Sequence, residues 1–229
     1  MTVLSDTFYW GILISIGSYL LGRYLQNKFR IILFNPLLFS TVFTVLFLLV
    51  FKIDYTTYYE KANYLYYLLT PTTVCLAIPL YEQIKPLKAN FSAIIIGISA
   101  GVLASLCSIL LFSVMFHFSH EMYLTLLPKS ITAAMGMSVS EELGGIPSIT
   151  VPIIIMTGIT GNIIAEKVCK LLRIKEPIAR GIAIGSSSHA MGTAKAMEMG
   201  EIEGAMSSLS IAVAGVLTVI GVSIFSYLY

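Results

Sequence analysis

The sequence predicts an all-α fold: a polytopic helical membrane protein with broken or re-entrant helices and an inverted structural repeat. Three observations lead to this prediction, namely the composition, a series of apolar runs, and a ten-residue segment that occurs twice. Of the 229 residues, 57% are hydrophobic and only 11% are charged, whereas soluble domains have about 25% charged residues. A soluble core of this size cannot hide so much apolar surface, so a membrane must cover it.

Apolar runs recur along the whole chain. About 20 apolar residues cross the hydrocarbon core of a bilayer as a helix, and several of these runs reach that length. We interpret 1–229 as a single integral membrane domain, in which N-terminal spans (1–67) precede two repeat units (68–117 and 123–172) and a Gly/Ser-rich broken segment with the last span (177–229). The predicted membrane segments are 8–21, 31–51, 68–80, 91–116, 123–139, 149–165, 180–196 and 205–228.

The duplicated segment predicts where the helices break. Pro71–Leu80 and Pro128–Met137 carry proline, hydroxyl, apolar and helix-breaking residues in the same order. In an apolar protein, such a pair indicates two copies of one broken helix, which is the best sequence pointer to the binding site of a transporter. A proline kink that serves helix packing explains either proline alone. The predicted helix breaks are Pro71, Pro79, Pro128, Gly136, Gly185 and Gly192.

The charges in the loops indicate that the two copies have opposite orientations. Lys85 and Lys88 follow the first copy, whereas Glu141 and Glu142 follow the second. Because loops rich in Lys and Arg face the cytoplasm, the charge signal changes sides between the copies and favours an inverted repeat. Inversion requires an odd number of crossings in each unit, so either one proline-containing segment is re-entrant or the number of spans differs from the one predicted above.

The two prolines place helix starts inside the membrane, where unpaired backbone N–H groups and a positive dipole end bind anions, particularly carboxylates. Lys129 follows Pro128 in an otherwise uncharged stretch, and an ammonium at the centre of a membrane helix costs about 2.5 to 3.5 kcal/mol. Lys129 therefore either faces a polar cavity and an anion or snorkels to the membrane surface. The predicted substrate-binding residues of the repeat are Thr72, Thr73, Lys129, Ser130 and Thr132.

The segment 181–196 is dense in small and polar residues. Small residues let helices approach closely or unwind, so the segment is either a tight helix contact or a further binding element. A histidine inside a membrane span indicates function by default, as a donor to a carboxylate or as a proton carrier. A structural histidine bonded to a serine is the alternative. We predict that Ser188, His189 and Thr193 bind the substrate.

The motifs disfavour enzymatic and cofactor-dependent functions. Ser188 and His189 are adjacent, so they do not converge from separate elements as a catalytic pair does. The glycine-rich stretch lacks the Walker A pattern of a nucleotide-binding loop. The three cysteines lie in apolar stretches without metal-ligand spacing. We therefore expect no catalytic residue, no cofactor and no bound metal, and the net charge of +2 gives no sign of nucleic-acid binding.

Several of these motifs together resemble one protein family. They lie at 128–132, 144–148, 157–161 and 179–194, and the earlier segment that ends at Tyr81 is similar as well. With these motifs the chain resembles the LrgB/CidB family over nearly its whole length. The resemblance implies a multi-pass protein of the bacterial cytoplasmic membrane.

Two functions follow from this resemblance. LrgB/CidB proteins are described as holin-like or antiholin-like modulators of murein hydrolase export and autolysis, beside a small LrgA/CidA partner. The family also includes bacterial pyruvate transport components, and the membrane half of the plastidal glycolate/glycerate translocator is similar. The paired broken helices and the buried cation favour a secondary transporter of small monocarboxylates such as pyruvate, lactate or glycolate. We expect a small anion as substrate, the lipid bilayer as the surroundings, and a homodimer built on small-residue helix faces.

Overall fold

A computed structural model of the chain describes residues 9–29, 34–68, 71, 74–75 and 77–229. The all-α prediction is confirmed, since every element of the described residues is a helix. The chain divides into two compact units, Met1–Cys75 and Leu76–Tyr229.

Among the described residues of the first unit there are four helices: α1 (Trp10–Phe29), α2 (Pro36–Phe51), α3 (Tyr55–Ala62) and α4 (Tyr64–Tyr67). The start of α2 is set by Asn35, whose side chain accepts hydrogen bonds from the backbone N–H of the two residues that follow Pro36. None of the residues of α2 is fully buried, although the helix is almost entirely apolar. A helix that is apolar on all sides and exposed within the protein is suited to lipid contact.

The second unit contains the helices α5 (Ala77–Glu82), α6 (Ile84–Ala89), α7 (Phe91–Phe116), α8 (His120–Leu126), α9 (Ala133–Glu142), α10 (Pro147–Leu171), α11 (Pro177–Met199) and α12 (Glu201–Phe225). Among the described residues, three helices are long and apolar enough to cross a membrane, namely α7, α10 and α12. The sequence had predicted α7 with the same bounds. The multi-pass membrane prediction is therefore confirmed.

The segment 123–139, which the sequence predicted as one of the membrane segments, is broken at residues 127–132 and folds back as a hairpin. The Thr150 hydroxyl lies 3.0 Å from the carbonyl oxygen of Thr125 and 2.7 Å from the hydroxyl of Ser140. In a straight helix, residues 125 and 140 would be about 22 Å apart. We call α8, the break and α9 hairpin 1 (120–142), with its tip at 127–132.

A second hairpin lies within α11. His189 has φ 42° and ψ −142°, which are not helical angles. A Cβ built on Gly192 would lie 3.1 Å from the carbonyl oxygen of Ile184, whereas eight residues of straight helix span about 12 Å. The chain therefore reverses at His189. We call Pro177–Met199 hairpin 2, with a first arm before His189 and a second arm after it.

The helix breaks do not fall on the glycines at which the sequence placed them. Gly136 lies inside α9, and Gly185 and Gly192 lie inside the two arms of hairpin 2. Each of these glycines instead permits a close approach: Gly136 packs against the Ile154 side chain, and Gly185 packs against the backbone of Ser207. A side chain at these positions would clash, so the glycines serve packing rather than chain reversal.

The remaining predicted breaks have different outcomes. Pro128 lies in the tip of hairpin 1, where it has no N–H to donate to a helix. Pro79 lies inside the short helix α5. Pro71 is described without the residues on either side of it, so its role as a helix break stays a prediction.

The two hairpins enter from opposite ends of the second unit. The Tyr123 hydroxyl donates to the carbonyl oxygen of Phe225 at 2.7 Å, so hairpin 1 starts beside the end of α12. Arg180 lies 3.6 Å from Glu203, so hairpin 2 starts beside the beginning of α12. We call the end with the 117–119 and 143–146 connections the acidic end, and the end with the 172–176 connection the basic end.

The Lys and Arg residues follow this division, whereas carboxylates lie at both ends. The acidic end carries Glu121, Glu141 and Glu142. Of the nine Lys and Arg residues in 77–229, every one except Lys129 lies at the basic end. These are Lys85, Lys88, Lys167, Lys170, Arg173, Lys175, Arg180 and Lys195.

Candidate functional site

A cavity of about 1140 Å³ lies in the second unit, between α7, α10, the first arm of hairpin 2 and the tip of hairpin 1. Its lining extends from Leu172, Ile174 and Glu176 at the basic end to Lys129 and Ser130. Apolar and small residues form most of its wall. The cavity is large enough for a small organic molecule.

The cavity ends at hairpin 1. On the acidic side of the cavity, Leu124, Leu127 and Ile131 are each at most 5% exposed and belong to the main apolar core of the second unit. Tyr123 in the same hairpin is fully buried. The lining therefore runs between the basic end and hairpin 1, and packed side chains separate it from the acidic end.

Lys129 lies near the middle of the membrane-spanning length. Its Nζ donates to the hydroxyls of Ser105 and Ser130, each at 3.1 Å, and these two hydroxyls are 2.9 Å apart. Ser105 is the fifteenth of the 26 residues of α7. Since α7 is long enough to cross a membrane, its middle lies near the middle of the bilayer.

The ammonium of Lys129 has hydroxyl partners but no ion pair with any carboxylate of the described residues. Of the described residues that line the cavity, Lys129 carries the only positive charge and Glu176 the only negative charge. Glu176 precedes α11 at the basic end, away from the tip of hairpin 1. A cation that is largely removed from water and lacks a counter-ion attracts an anion strongly.

The other lysine contacts of the second unit are ion pairs at the basic end. Lys195, on the second arm of hairpin 2, lies 3.5 Å from Glu166 and 3.2 Å from Glu198. Lys170 lies 2.7 Å from Glu166. Of these pairs, Lys195–Glu166 joins the second arm of hairpin 2 to α10. All of these lysines have a carboxylate partner, unlike Lys129.

Hydroxyl groups from four elements, namely α7, the tip of hairpin 1, α10 and hairpin 2, line the cavity. The hydroxyl of Ser186 donates to the carbonyl oxygen of Ile182 at 2.7 Å, and that of Thr157 donates to the carbonyl oxygen of Ile153 at 2.8 Å. Because their protons are used within their own helices, these oxygens face the cavity mainly as acceptors. The lining hydroxyls are those of Ser105, Ser108, Ser130, Thr157, Thr160, Ser186, Ser187 and Ser188.

Three of the predicted substrate-binding residues line this cavity: Lys129, Ser130 and Ser188. The sequence did not assign Ser105, Thr157 or Thr160 to the site, because each is an isolated polar residue in an apolar helix. Only the tertiary packing of the helices places these three side chains on the cavity wall.

His189 and Thr193 are not among the lining residues. His189 is 4% exposed, and its Nε2 lies 3.0 Å from the carbonyl oxygen of Ile154. The Thr193 hydroxyl lies 3.0 Å from the carbonyl oxygen of His189 and 2.7 Å from the hydroxyl of Ser207. The backbone reversal at His189 turns the imidazole towards α10, so these side chains hold the tip of hairpin 2 against its neighbours.

The N-terminus of α9 also lies outside the cavity lining. Thr132 occupies the N-cap position with φ −66° and ψ 150°, but its side chain makes no capping hydrogen bond. Met135, in the first turn of α9, packs against Gly215 of α12. The predicted anion contact through this helix start is therefore not part of the cavity, and the predicted residues Thr72 and Thr73 lie outside the described residues.

Comparison with known protein families shows which family the chain belongs to. The family model described as LrgB-like family matches residues 15–228, which is nearly the whole chain. No solved structure matches the chain.

Proposed function

The chain belongs to the LrgB-like family, and on that premise we propose that it is a secondary transporter of small monocarboxylates, of the pyruvate, lactate or glycolate class. The observation that carries the proposal is the ammonium of Lys129, which faces a cavity at the middle of the membrane and, among the described residues, has serine hydroxyls rather than carboxylates as partners. A bound carboxylate supplies the negative charge that this site lacks. An unselective pore has no use for such a cation.

The charge and polarity of the cavity support one carboxylate per substrate. Lys129 neutralises a single negative charge, and the described residues that line the cavity offer no second cation to a second carboxylate. The hydroxyls of Ser105 and Ser130 adjoin the ammonium and can accept from, or donate to, a substrate hydroxyl or keto group. A short, weakly polar carbon chain fits the remaining wall.

The distribution of Lys and Arg supports an orientation. Loops rich in these residues face the cytoplasm, so we place the basic end inside the cell and the acidic end outside. The cavity then extends from the cytoplasm to Lys129, and hairpin 1 closes it towards the exterior. This arrangement corresponds to the inward-facing state of a carrier in the bacterial cytoplasmic membrane. A homodimer and a small LrgA/CidA-type partner remain part of the proposal.

The test is uptake of labelled pyruvate by proteoliposomes that also contain an unrelated trapped dye. We expect saturable, carboxylate-selective uptake without release of the dye. Lys129→Ala should weaken the apparent affinity about 100-fold, because a hydrogen-bonded charge contributes about 1.5–3 kcal/mol and 1.4 kcal/mol corresponds to tenfold. Lys170→Ala is the matched control, since that side chain is exposed and paired with Glu166, and it should change uptake less than twofold.

Two results would contradict the proposal. Release of the dye by the wild-type protein would favour the holin-like alternative, a pore that needs no substrate site. Uptake with equal affinity in the wild type and Lys129→Ala would show that Lys129 does not bind the substrate.

A further inference from the structure

Hairpin 1 with α10 and hairpin 2 with α12 make matching contacts in opposite directions. Both α10 and α12 contain 25 residues, and each has glycine at its fifteenth position. Gly161 of α10 packs against Ser188 at the tip of hairpin 2. Gly215 of α12 packs against hairpin 1, where a Cβ on it would lie 2.8 Å from Cε of Met135. Thus α10, which follows hairpin 1, presents a glycine to hairpin 2, and α12, which follows hairpin 2, presents a glycine to hairpin 1.

Each hairpin also packs on the span that follows it. Gly136, the fourth residue of α9, contacts Ile154 of α10. Thr193, the fourth residue after the reversal at His189, bonds to Ser207 of α12 at 2.7 Å. Ile154 and Ser207 occupy the eighth and seventh positions of their helices. The contact between a hairpin and the long helix that follows it is therefore present in both copies.

We propose that 120–171 and 177–225 form an inverted repeat, and that exchange of their conformations produces a second, outward-open state of the protein. In that state the cavity reaches Lys129 from the acidic end, and α12 replaces α10 as its wall. Inverted repeats produce alternating access by such an exchange. The inference rests on the proposed transport function, which requires access from both ends.

The packing of α12 supports this exchange. Since α10 begins at Pro147 and α12 at Glu201, residues 54 positions apart correspond. Met156 and Ile164 line the cavity and are 65% and 42% exposed. Their counterparts Ser210 and Thr218 are 0% and 4% exposed. The face of α12 that corresponds to the cavity wall is therefore closed in this structure, and it carries hydroxyls as the wall of α10 does.

Both hairpins contribute contacts that keep this face closed: Gly185 of hairpin 2 packs against Ser210, and hairpin 1 covers the part nearer the acidic end. Met135 covers Gly215, and the Tyr123 hydroxyl donates to the carbonyl oxygen of Phe225 at 2.7 Å. Movement of hairpin 1 away from α12 breaks both contacts and uncovers the part of the α12 face that lies nearest the acidic end. Hairpin 1 thus acts as the gate at the acidic end, as hairpin 2 does at the basic end.

Cysteine labelling tests the exchange. In full-length protein with Cys75, Cys107 and Cys169 replaced by serine, single cysteines are introduced as Ile164→Cys or Thr218→Cys, which occupy the eighteenth position of α10 and α12. Two separate vesicle preparations, one with the basic end outside and one with the acidic end outside, are treated with a membrane-impermeant methanethiosulfonate. We expect Ile164→Cys to react from the basic end and Thr218→Cys to react from the acidic end.

Ser113→Cys is the matched control for Thr218→Cys. Ser113 is fully buried on α7, near the same end of the unit, so it reports on fraying rather than on the exchange. Thr218→Cys should react from the acidic end at least tenfold faster than Ser113→Cys. Ser210→Cys is a second reporter that replaces Thr218→Cys if that variant does not fold. Equal rates for reporter and control, or reaction of the reporter from the basic end, would overturn the inference.

The outcome is separable from that of the proposed function. Labelling of Thr218→Cys from the acidic end in a protein that does not take up pyruvate would support the exchange and reject the substrate. Selective pyruvate uptake by a protein whose α12 reporters stay unlabelled would support the transport function and reject the exchange.

Discussion

The tips of the two hairpins differ in what surrounds them. The tip of hairpin 1 places Lys129 in the cavity, where hydroxyls are its partners. The tip of hairpin 2 buries His189 against α10, where the carbonyl oxygen of Ile154 is its partner. Both residues are polar, both lie at a chain reversal within the membrane, and the sequence marked both as substrate contacts.

This difference shows that a polar residue at a helix break can serve either ligand binding or the packing of the fold. Lys129 makes no ion pair within the part of the chain that the structure describes, so an added anion can complete the site. The Nε2 of His189 already has a partner in the protein, and its ring fills the space beside Gly158. We therefore expect variants at the first tip to change binding, and variants at the second tip to change stability.

The largest effect on stability is expected for His189→Ala. The variant removes a buried ring and its contact with the carbonyl oxygen of Ile154. The free energy of unfolding should fall by about 3 kcal/mol, as for large-to-small changes in a packed core, while the pyruvate affinity of the folded protein stays unchanged. Denaturant unfolding in detergent and pyruvate titration measure the two quantities. A weaker pyruvate affinity with an unchanged free energy of unfolding would show that His189 binds the substrate.

A smaller loss of stability is expected for Gly161→Ala. The added methyl group meets the Ser188 side chain, so α10 and hairpin 2 must separate. Overpacking of this kind costs about 1–3 kcal/mol. Gly17→Ala is the matched control, because nothing lies within 4 Å of a Cβ at that position of α1, and it should not lower the melting temperature. Equal melting temperatures for the two variants would show that hairpin 2 does not pack tightly on α10.

The smallest effect is expected for Ser105→Ala. The variant removes one of the two hydroxyl partners of Lys129 and should weaken pyruvate binding about tenfold, since one hydrogen bond contributes about 1 kcal/mol and one to a charged group somewhat more. Ser108→Ala is the control, because that hydroxyl lines the cavity but donates to the carbonyl oxygen of Ser105 at 2.7 Å. Equal affinities for both variants would mean that Ser105 does not position Lys129.

Some features of the fold and site were predictable from local sequence. The apolar run 91–116 predicted the bounds of α7, because membrane helices require a length that composition reveals. Proline in Pro128-Lys129 predicted a break, since proline cannot continue a helix. Lys129 stood out as a charge in an apolar stretch, where a cation must have a purpose.

Other features depended on contacts that the sequence does not display. Gly185 and Gly192 look like helix breakers, but neighbouring backbones occupy the space that their missing side chains leave. The reversal falls on His189 between them. The ten-residue duplication Pro71–Leu80 and Pro128–Met137 shows the same limit. Pro71 lies in the first unit and Pro128 in the second, so the pairing of the two prolines stays a prediction.

By itself, the sequence determined the class of the protein, its membrane-spanning length and the location of a buried cation. These properties follow from hydrophobicity and from the cost of moving charge into lipid, which are local quantities. Only the tertiary structure decided that Lys129 faces a cavity and His189 does not, and that hydroxyls of α7 and α10 complete the site. Those facts depend on which helix faces meet, and residues far apart in the chain determine that jointly.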